Sequence, residues 1–229
     1  MTTFAIGDIH GCFDALVRLT EFAGITDADL AVWLGDYVDR GPDSAKVIEY
    51  LISLPSDQNR FLCGNHDLMM KNAIVDVESV ALWTGSGGQT TLDSYSKEFQ
   101  NVDPIRSIPK SHWTFLDGLE SYFETESYIF VHASVDSELP MAEQTGEDLY
   151  WGSYHSIKPH FTGKHVICGH TSRKIGIPRY KPHASCIDTW VHGGGWLTCL
   201  DVESGHYYQA NQQGSTQTGW LGNLNPNTG

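Results

Sequence analysis

Thr2-Thr3-Phe4-Ala5-Ile6-Gly7-Asp8-Ile9-His10-Gly11 sets the reading of the whole chain. A short extended apolar run breaks at Gly7-Asp8. From Asp14 to Ala23 the apolar residues Leu16, Leu19, Phe22 and Ala23 then recur at helical spacing, so the segment reads as strand, loop, helix. The pattern returns twice. Leu30 to Leu34 runs into Gly35-Asp36, with an amphipathic helix expected from Ser44 to Leu54 after Pro42. Arg60 to Cys63 runs into Gly64-Asn65-His66-Asp67. Two later apolar runs behave alike: Tyr128 to Val131 ends at His132, and His165 to Cys168 ends at Gly169-His170. Open α/β sheets place their sites at the carboxyl ends of strands, so five such loops are expected to converge on one place.

Between these blocks, 72–125 has mixed helical periodicity, a Gly85-Ser86-Gly87-Gly88 turn and the aromatic residues Trp83, Tyr95, Phe99, Trp113 and Phe115. It reads as a mostly helical insertion beside the sheet. After His170 the chain turns β-rich, with strands expected at Ala184 to Asp188, Trp196 to Val202 and Tyr207 to Gln209. The polar stretch 212–229 reads as a loosely ordered tail.

The 229 residues, 40% hydrophobic and 18% charged, suit a single globular domain spanning 1–229. With 28 Asp and Glu against 14 Lys and Arg the net charge is −14, which repels polyanions and argues against a nucleic-acid partner. An anionic substrate therefore needs local positive charge, which bound divalent cations supply. The N-terminal residues carry no basic segment followed by an apolar run, and no stretch of eighteen apolar residues occurs, so the expectation is a cytoplasmic protein with no membrane partner. The odd set Cys12, Cys63, Cys168, Cys186 and Cys199 lies mostly in apolar runs and reads as small core residues.

Asp8 and His10, two residues apart, can face one way on extended backbone. With Asp36 they offer one imidazole and two carboxylates to a first ion. Asp36 can bridge to a second ion whose other ligands are Asn65, His132 and His170. This oxygen and imidazole set, free of thiolate, suits Mn²⁺ first, with Fe²⁺ or Zn²⁺ as alternatives. Two such ions about 3.5–4 Å apart activate a shared water and clamp both oxygens of an in-line displacement. His66 then stands ready to protonate a leaving oxygen, Asp39 to pair with its imidazole, and Arg40 to fork onto phosphate oxygens. Singly, a Gly-Asp or a histidine after a strand is more often a turn residue; the conjunction carries the reading. Asp67 reads as loop support. His112, His155, His160, His165, His183, His192 and His206 read as structural or surface residues, with His183 and His192 the first exceptions to check.

Gly7-Asp8-Ile9-His10-Gly11, Gly35-Asp36-Tyr37-Val38-Asp39-Arg40-Gly41, Gly64-Asn65-His66-Asp67, His132 and Gly169-His170-Thr171 resemble the signature set of the phosphoprotein phosphatase branch of the calcineurin-like metallophosphoesterases. The resemblance implies a four-layer α/β/β/α sandwich, two-metal hydrolysis by a metal-bound hydroxide, and the roles given above to His66, Asp39 and Arg40. Within the branch the chain looks like bacterial members, which include serine/threonine protein phosphatases and symmetrical diadenosine tetraphosphate hydrolases. One departure stands out: the family's phosphate-binding arginine follows a Leu-Leu-Trp-like segment, whereas Leu149-Tyr150-Trp151 leads here into Gly152-Ser153. Arg173 or Lys174 would have to substitute, or Arg40 act alone with the metals. Ser134, where the family often has Gly, is a smaller change.

The first expectation is a phosphomonoester hydrolase acting on phosphoserine or phosphothreonine in proteins. The alternative is a diadenosine polyphosphate hydrolase. A third reading, from another class, is a non-catalytic binder of phosphorylated ligands or a scaffold; retention of the full ligand set with His66, Asp39 and Arg40 argues against it.

Overall fold

The computed structural model describes residues 2–73, 77–99 and 104–222. In chain order, β1 (Thr3–Ile6), α1 (Phe13–Ala23), β2 (Leu30–Trp33), α2 (Ser44–Ser53), β3 (Asn59–Phe61) and α3 (Asn65–Ala73) form three strand–loop–helix units. Helices α4 (Val77–Trp83), α5 (Gln89–Phe99), α6 (Pro104–Ser107) and α7 (Lys110–Asp117) follow, with a π-turn at Thr84–Gly88. The remainder comprises β4 (Tyr122–Glu124), β5 (Tyr128–Val131), α8 (Gly146–Trp151), β6 (His165–Cys168), β7 (Arg179–Lys181), β8 (Ala184–Cys186), β9 (Leu197–Asp201), β10 (His206–Ala210) and β11 (Thr216–Trp220).

The strands form two sheets, ordered β11-β10-β9-β1-β2-β3 and β4-β5-β6-β8-β7. The central strands β1, β2 and β3 run parallel in the first sheet, and β5, β6 and β8 in the second. Period-2 alternation divides each strand between two cores. Ala5, Val32, Phe130, Ile167 and Leu200 point into the space between the sheets. Their neighbours Phe4, Ile6, Ala31 and Trp33 pack on the other side against α1, α2 and the insertion. Ile129, Val131, Val166 and Cys168 pack against α8 and its flanking loops. The result is helix, sheet, sheet, helix, the four-layer sandwich that the resemblance implies. All five cysteines are free and buried.

Three segments differ from the sequence reading. The stretch 212–229 was expected to be loose, but Thr216 to Trp220 pairs antiparallel with β10, because Tyr208 and its neighbours on β10 offer an unpaired edge; 223–229 lie outside the described residues. The proposed insertion start at 72 falls inside α3, and its end carries β4, an antiparallel edge strand on β5. No helix among the described residues is long and apolar enough to cross a membrane.

Parallel strands aligned in register bring their carboxyl ends to one edge, and main-chain bonds join neighbouring loops within each sheet there. Ile9 and His10 N–H groups both donate to the Asp36 carbonyl, at 3.1 and 2.7 Å, and Gly169 N–H donates to the His132 carbonyl at 2.8 Å.

Candidate metal centre

Six non-glycine residues among those described have positive φ: His10, Asp36, Asp39, Arg40, His170 and Trp190. The first five are residues singled out in the sequence. Left-handed backbone costs a non-glycine residue of order 1 kcal/mol, and it persists where packing fixes side chains for function. Gly64 and Gly169 make room for this crowding. A Cβ on Gly64 would strike the Asp36 carboxylate, and one on Gly169 would strike that of Asp8.

Two triads of ligand atoms result, His10 with Asp36 and His66, and Asp36 with His132 and His170. Asp36 belongs to both, its Oδ2 lying 3.4 Å from His10 Nε2 and its Oδ1 3.5 Å from His132 Nε2. Main-chain carbonyls set the imidazole tautomers. His10 Nδ1 donates to Val38 O at 3.0 Å and His132 Nδ1 to Leu34 O at 2.8 Å, so both Nε2 lone pairs face the site. Asn65 Oδ1 sits 3.0 Å from His132 Nε2 and 3.0 Å from His170 Nδ1. Because His132 Nε2 and Asn65 Oδ1 are both lone-pair atoms, a cation is the group that reconciles them.

Asp8 stands at the edge of this cluster. Its carboxylate accepts the His170 N–H at 3.0 and 3.2 Å and stands beside the triads, while His66, read as the acid, takes the third place in the first one. Burial, then the carboxylates of Asp188 and Asp36, push the Asp8 pKa well above the usual carboxylate range, against the lowering by the His170 N–H. Burial alone would raise Asp36 too, but the neighbouring imidazoles, His132 first and then His66, with the His66 main-chain N–H, outweigh it and hold that carboxyl well below its ordinary value. Burial lowers His10, and burial followed by the nearby His132 lowers His170 to about 4, so both imidazoles are neutral at neutral pH. Buried carboxylates, neutral imidazoles and an amide oxygen, with no thiolate, form a donor set that fits divalent cations.

The insertion builds the next shell. Asp39 is fully buried; its carboxylate lies 2.7 Å from His66 Nδ1 and accepts the Thr91 hydroxyl at 2.7 Å and Trp83 Nε1–H at 3.0 Å. Arg40 N–H donates to the Gly87 carbonyl of the π-turn, and its guanidinium lies 2.9 Å from His10 Nε2. Asp67 is indeed a loop support, accepting the N–H groups of Asp36, Tyr37 and Gly64 at 2.8–3.0 Å.

The roles of Asp188, Trp83, Gly87 and Thr91 escaped sequence reasoning. Asp188 follows β8 as Asp8 follows β1, and that repetition was its only signal. Of the two histidines marked as exceptions, His192 belongs here: its ring lies 4.8 Å from that of His10, with Nε2 3.5 Å from the Arg40 guanidinium. His183 hydrogen-bonds the Ile157 carbonyl. Arg173 donates to the Pro178 carbonyl and Lys174 lies over the Trp190 ring, so Arg40 is the guanidinium that meets the ligand set among the described residues.

Solved structures with the same fold include a cold-active protein-tyrosine phosphatase from Shewanella (TM-score 0.67, 16% identity, covering 95% of this chain and 80% of that one). A provisionally assigned diadenosine tetraphosphatase gives 0.64 at 20% identity, covering 96% and 94%. At such identities the likeness is one of fold. Among curated proteins, the symmetrical bis(5'-nucleosyl)-tetraphosphatase of Cellvibrio japonicus is 31% identical over 170 residues, 71% of this chain and 58% of the relative. That of Cronobacter sakazakii is 31% identical over 156 residues, 65% of this chain and 49% of the relative, so the chain spans about half the length of such relatives. The calcineurin-like phosphoesterase family model matches residues 1–202, covering all five loops and the acidic residue after β8, and the chain therefore belongs to that family of hydrolases.

Proposed function

We propose that the chain hydrolyses dinucleoside polyphosphates at a centre of two divalent ions, Mn²⁺ by preference. The observation that carries this reading is the likeness to curated relatives named symmetrical bis(5'-nucleosyl)-tetraphosphatases. It reverses the order of the sequence reading, which put phosphomonoesters of proteins first. The charge at the site supports the reversal. A terminal phosphomonoester is a dianion that gains most from two guanidinium clamps, and the arginine expected near Ser153 is absent while Arg173 is engaged elsewhere. An internal phosphoryl group of a polyphosphate carries one charge fewer.

Asp8, His10 and Asp36 would hold one ion, and Asp36, Asn65, His132 and His170 the other. When bound, such a pair of ions acidifies a water and offsets the charge on phosphate oxygens. Arg40 orients the phosphoryl group through a planar fork of N–H donors. His66 delivers a proton from Nε2 to the leaving oxygen while Asp39, on Nδ1, fixes the orientation of the ring. Trp83 and Thr91 fix Asp39 in turn.

Steady-state assays with Mn²⁺, run side by side on diadenosine tetraphosphate and a phosphothreonine peptide, test the reading. The expected result is a preference for the dinucleotide with ADP as the sole nucleotide product. Faster turnover of the peptide would restore the protein phosphatase reading.

A further inference from the structure

A trough of about 450 Å³ opens from the catalytic centre and runs beside α3. Asn65, His66, Met69 and Asn72 line its floor, and their spacing puts them on one helical face. From Asn65 to Asn72 that face extends about 10 Å at 1.5 Å per residue. Leu82 from α4 and Trp151 from the end of α8 also line it. Both are exposed, at 73% and 45%, and both are large apolar side chains placed at the mouth of a polar catalytic site. Among the described residues no acidic side chain lines the trough, in a chain whose net charge is −14.

We infer that this trough seats the nucleoside of the leaving nucleotide, with its base against Trp151 and Leu82. The inference rests on the dinucleotide reading above and assigns the half of the substrate that departs. The trough starts at His66, the residue that protonates the leaving oxygen, so the departing group must lie along it. Its volume has room for a ribose and a base beyond the phosphates. A flat aromatic face, an aliphatic wall and amide groups on the floor suit a planar heterocycle that stacks on one side and hydrogen-bonds at its rim. Trp151 closes the segment Leu149-Tyr150-Trp151, and the residues after it, Gly152 and Ser153, leave its indole without an arginine neighbour in sequence.

Binding of products tests the assignment independently of turnover. Intrinsic tryptophan fluorescence, or calorimetry, would be titrated on the Mn²⁺-loaded protein with ADP and with inorganic pyrophosphate. ADP is expected to bind more tightly than pyrophosphate. Trp151→Ala should weaken ADP by about 5- to 150-fold, the range seen for base stacking on an aromatic side chain. It should leave pyrophosphate unchanged. Leu82→Ala, at an exposed position that the fold tolerates, should weaken ADP in the same selective way.

Equal affinities of wild-type protein for ADP and pyrophosphate would overturn the inference, as would a parallel loss of both in Trp151→Ala. A phosphothreonine peptide that depends on Trp151 while ADP does not would give the trough to polypeptide and overturn it too. If ADP binding depends on Trp151 but diadenosine tetraphosphate is not hydrolysed, the trough stands and the substrate reading fails. If the dinucleotide is hydrolysed and ADP ignores Trp151, the reverse holds.

Discussion

The Nδ1 atom of His66 lies 2.7 Å from Oδ2 of Asp39, both side chains being buried, at the point where the insertion meets the metal ligands. Thr91 and Trp83 occupy the remaining acceptor capacity of that carboxylate, so Asp39 has no freedom to turn away from the ring. The pair thus fixes which His66 nitrogen faces the reacting atoms.

His66→Asn should keep both bound metals and lower kcat by about 10²- to 10⁴-fold, the range for loss of a general acid. The loss should be greatest for substrates with poor leaving groups. Metal analysis of the purified variant decides between the two roles open to this residue, because His66 also completes the first triad: loss of one metal equivalent would make it a ligand.

Asp67→Ala should destabilise the protein while leaving the ligands in place chemically. It orphans three buried N–H donors, those of Asp36, Tyr37 and Gly64. Each orphan costs about 1–3 kcal/mol, so the urea midpoint should fall sharply, with Asp67→Asn intermediate. An unchanged midpoint would show that these turns hold without the clamp.

Much of this was legible in the sequence because the signal is local. Each of Gly7-Asp8, Gly35-Asp36, Val131-His132 and Gly169-His170 follows its strand directly, and the strands themselves alternate cleanly between two cores. α3 was not legible: it opens on the polar residues Asn65, His66 and Asp67, and Leu68, Met69 and Met70 are consecutive, leaving Ala73 alone at helical spacing from them. β11 was missed because Thr216 to Trp220 is a largely exposed edge strand with no apolar face, formed by pairing alone. The grip of Trp83 and Thr91 on Asp39 spans 44 and 52 residues, and no local pattern carries such a contact.

Protonation and metal binding compete at Asp8. Its pKa is raised by burial and by Asp188 and Asp36, so below that raised value the group holds a proton that a cation must displace. His10 and His170 are lowered by burial, His170 to about 4, and they do not compete near neutrality. The increase in Tm produced by a fixed Mn²⁺ concentration should therefore grow as pH rises from 5 to 8. A pH-independent increase would place Asp8 outside the metal-binding set.

Ser153 is exposed on a short 3₁₀ turn, and the next residue, Tyr154, donates its N–H to Thr171 beside His170. Ser153→Arg should thus supply a second guanidinium near the centre and lower KM for a phosphomonoester substrate such as the phosphothreonine peptide. Unchanged kinetics would show that the turn points its side chain away from the substrate.

The shared carboxylate of Asp36 is the central claim, since it makes two triads into one centre. Metal stoichiometry of folded Asp36→Asn against wild type after Mn²⁺ loading and desalting, with circular dichroism as the check on folding, tests it most directly. Wild type should retain close to two equivalents and the variant should hold both sites more weakly, with activity lost in parallel. A folded variant that still holds two equivalents, or that loses one and keeps the other at wild-type affinity, would contradict it.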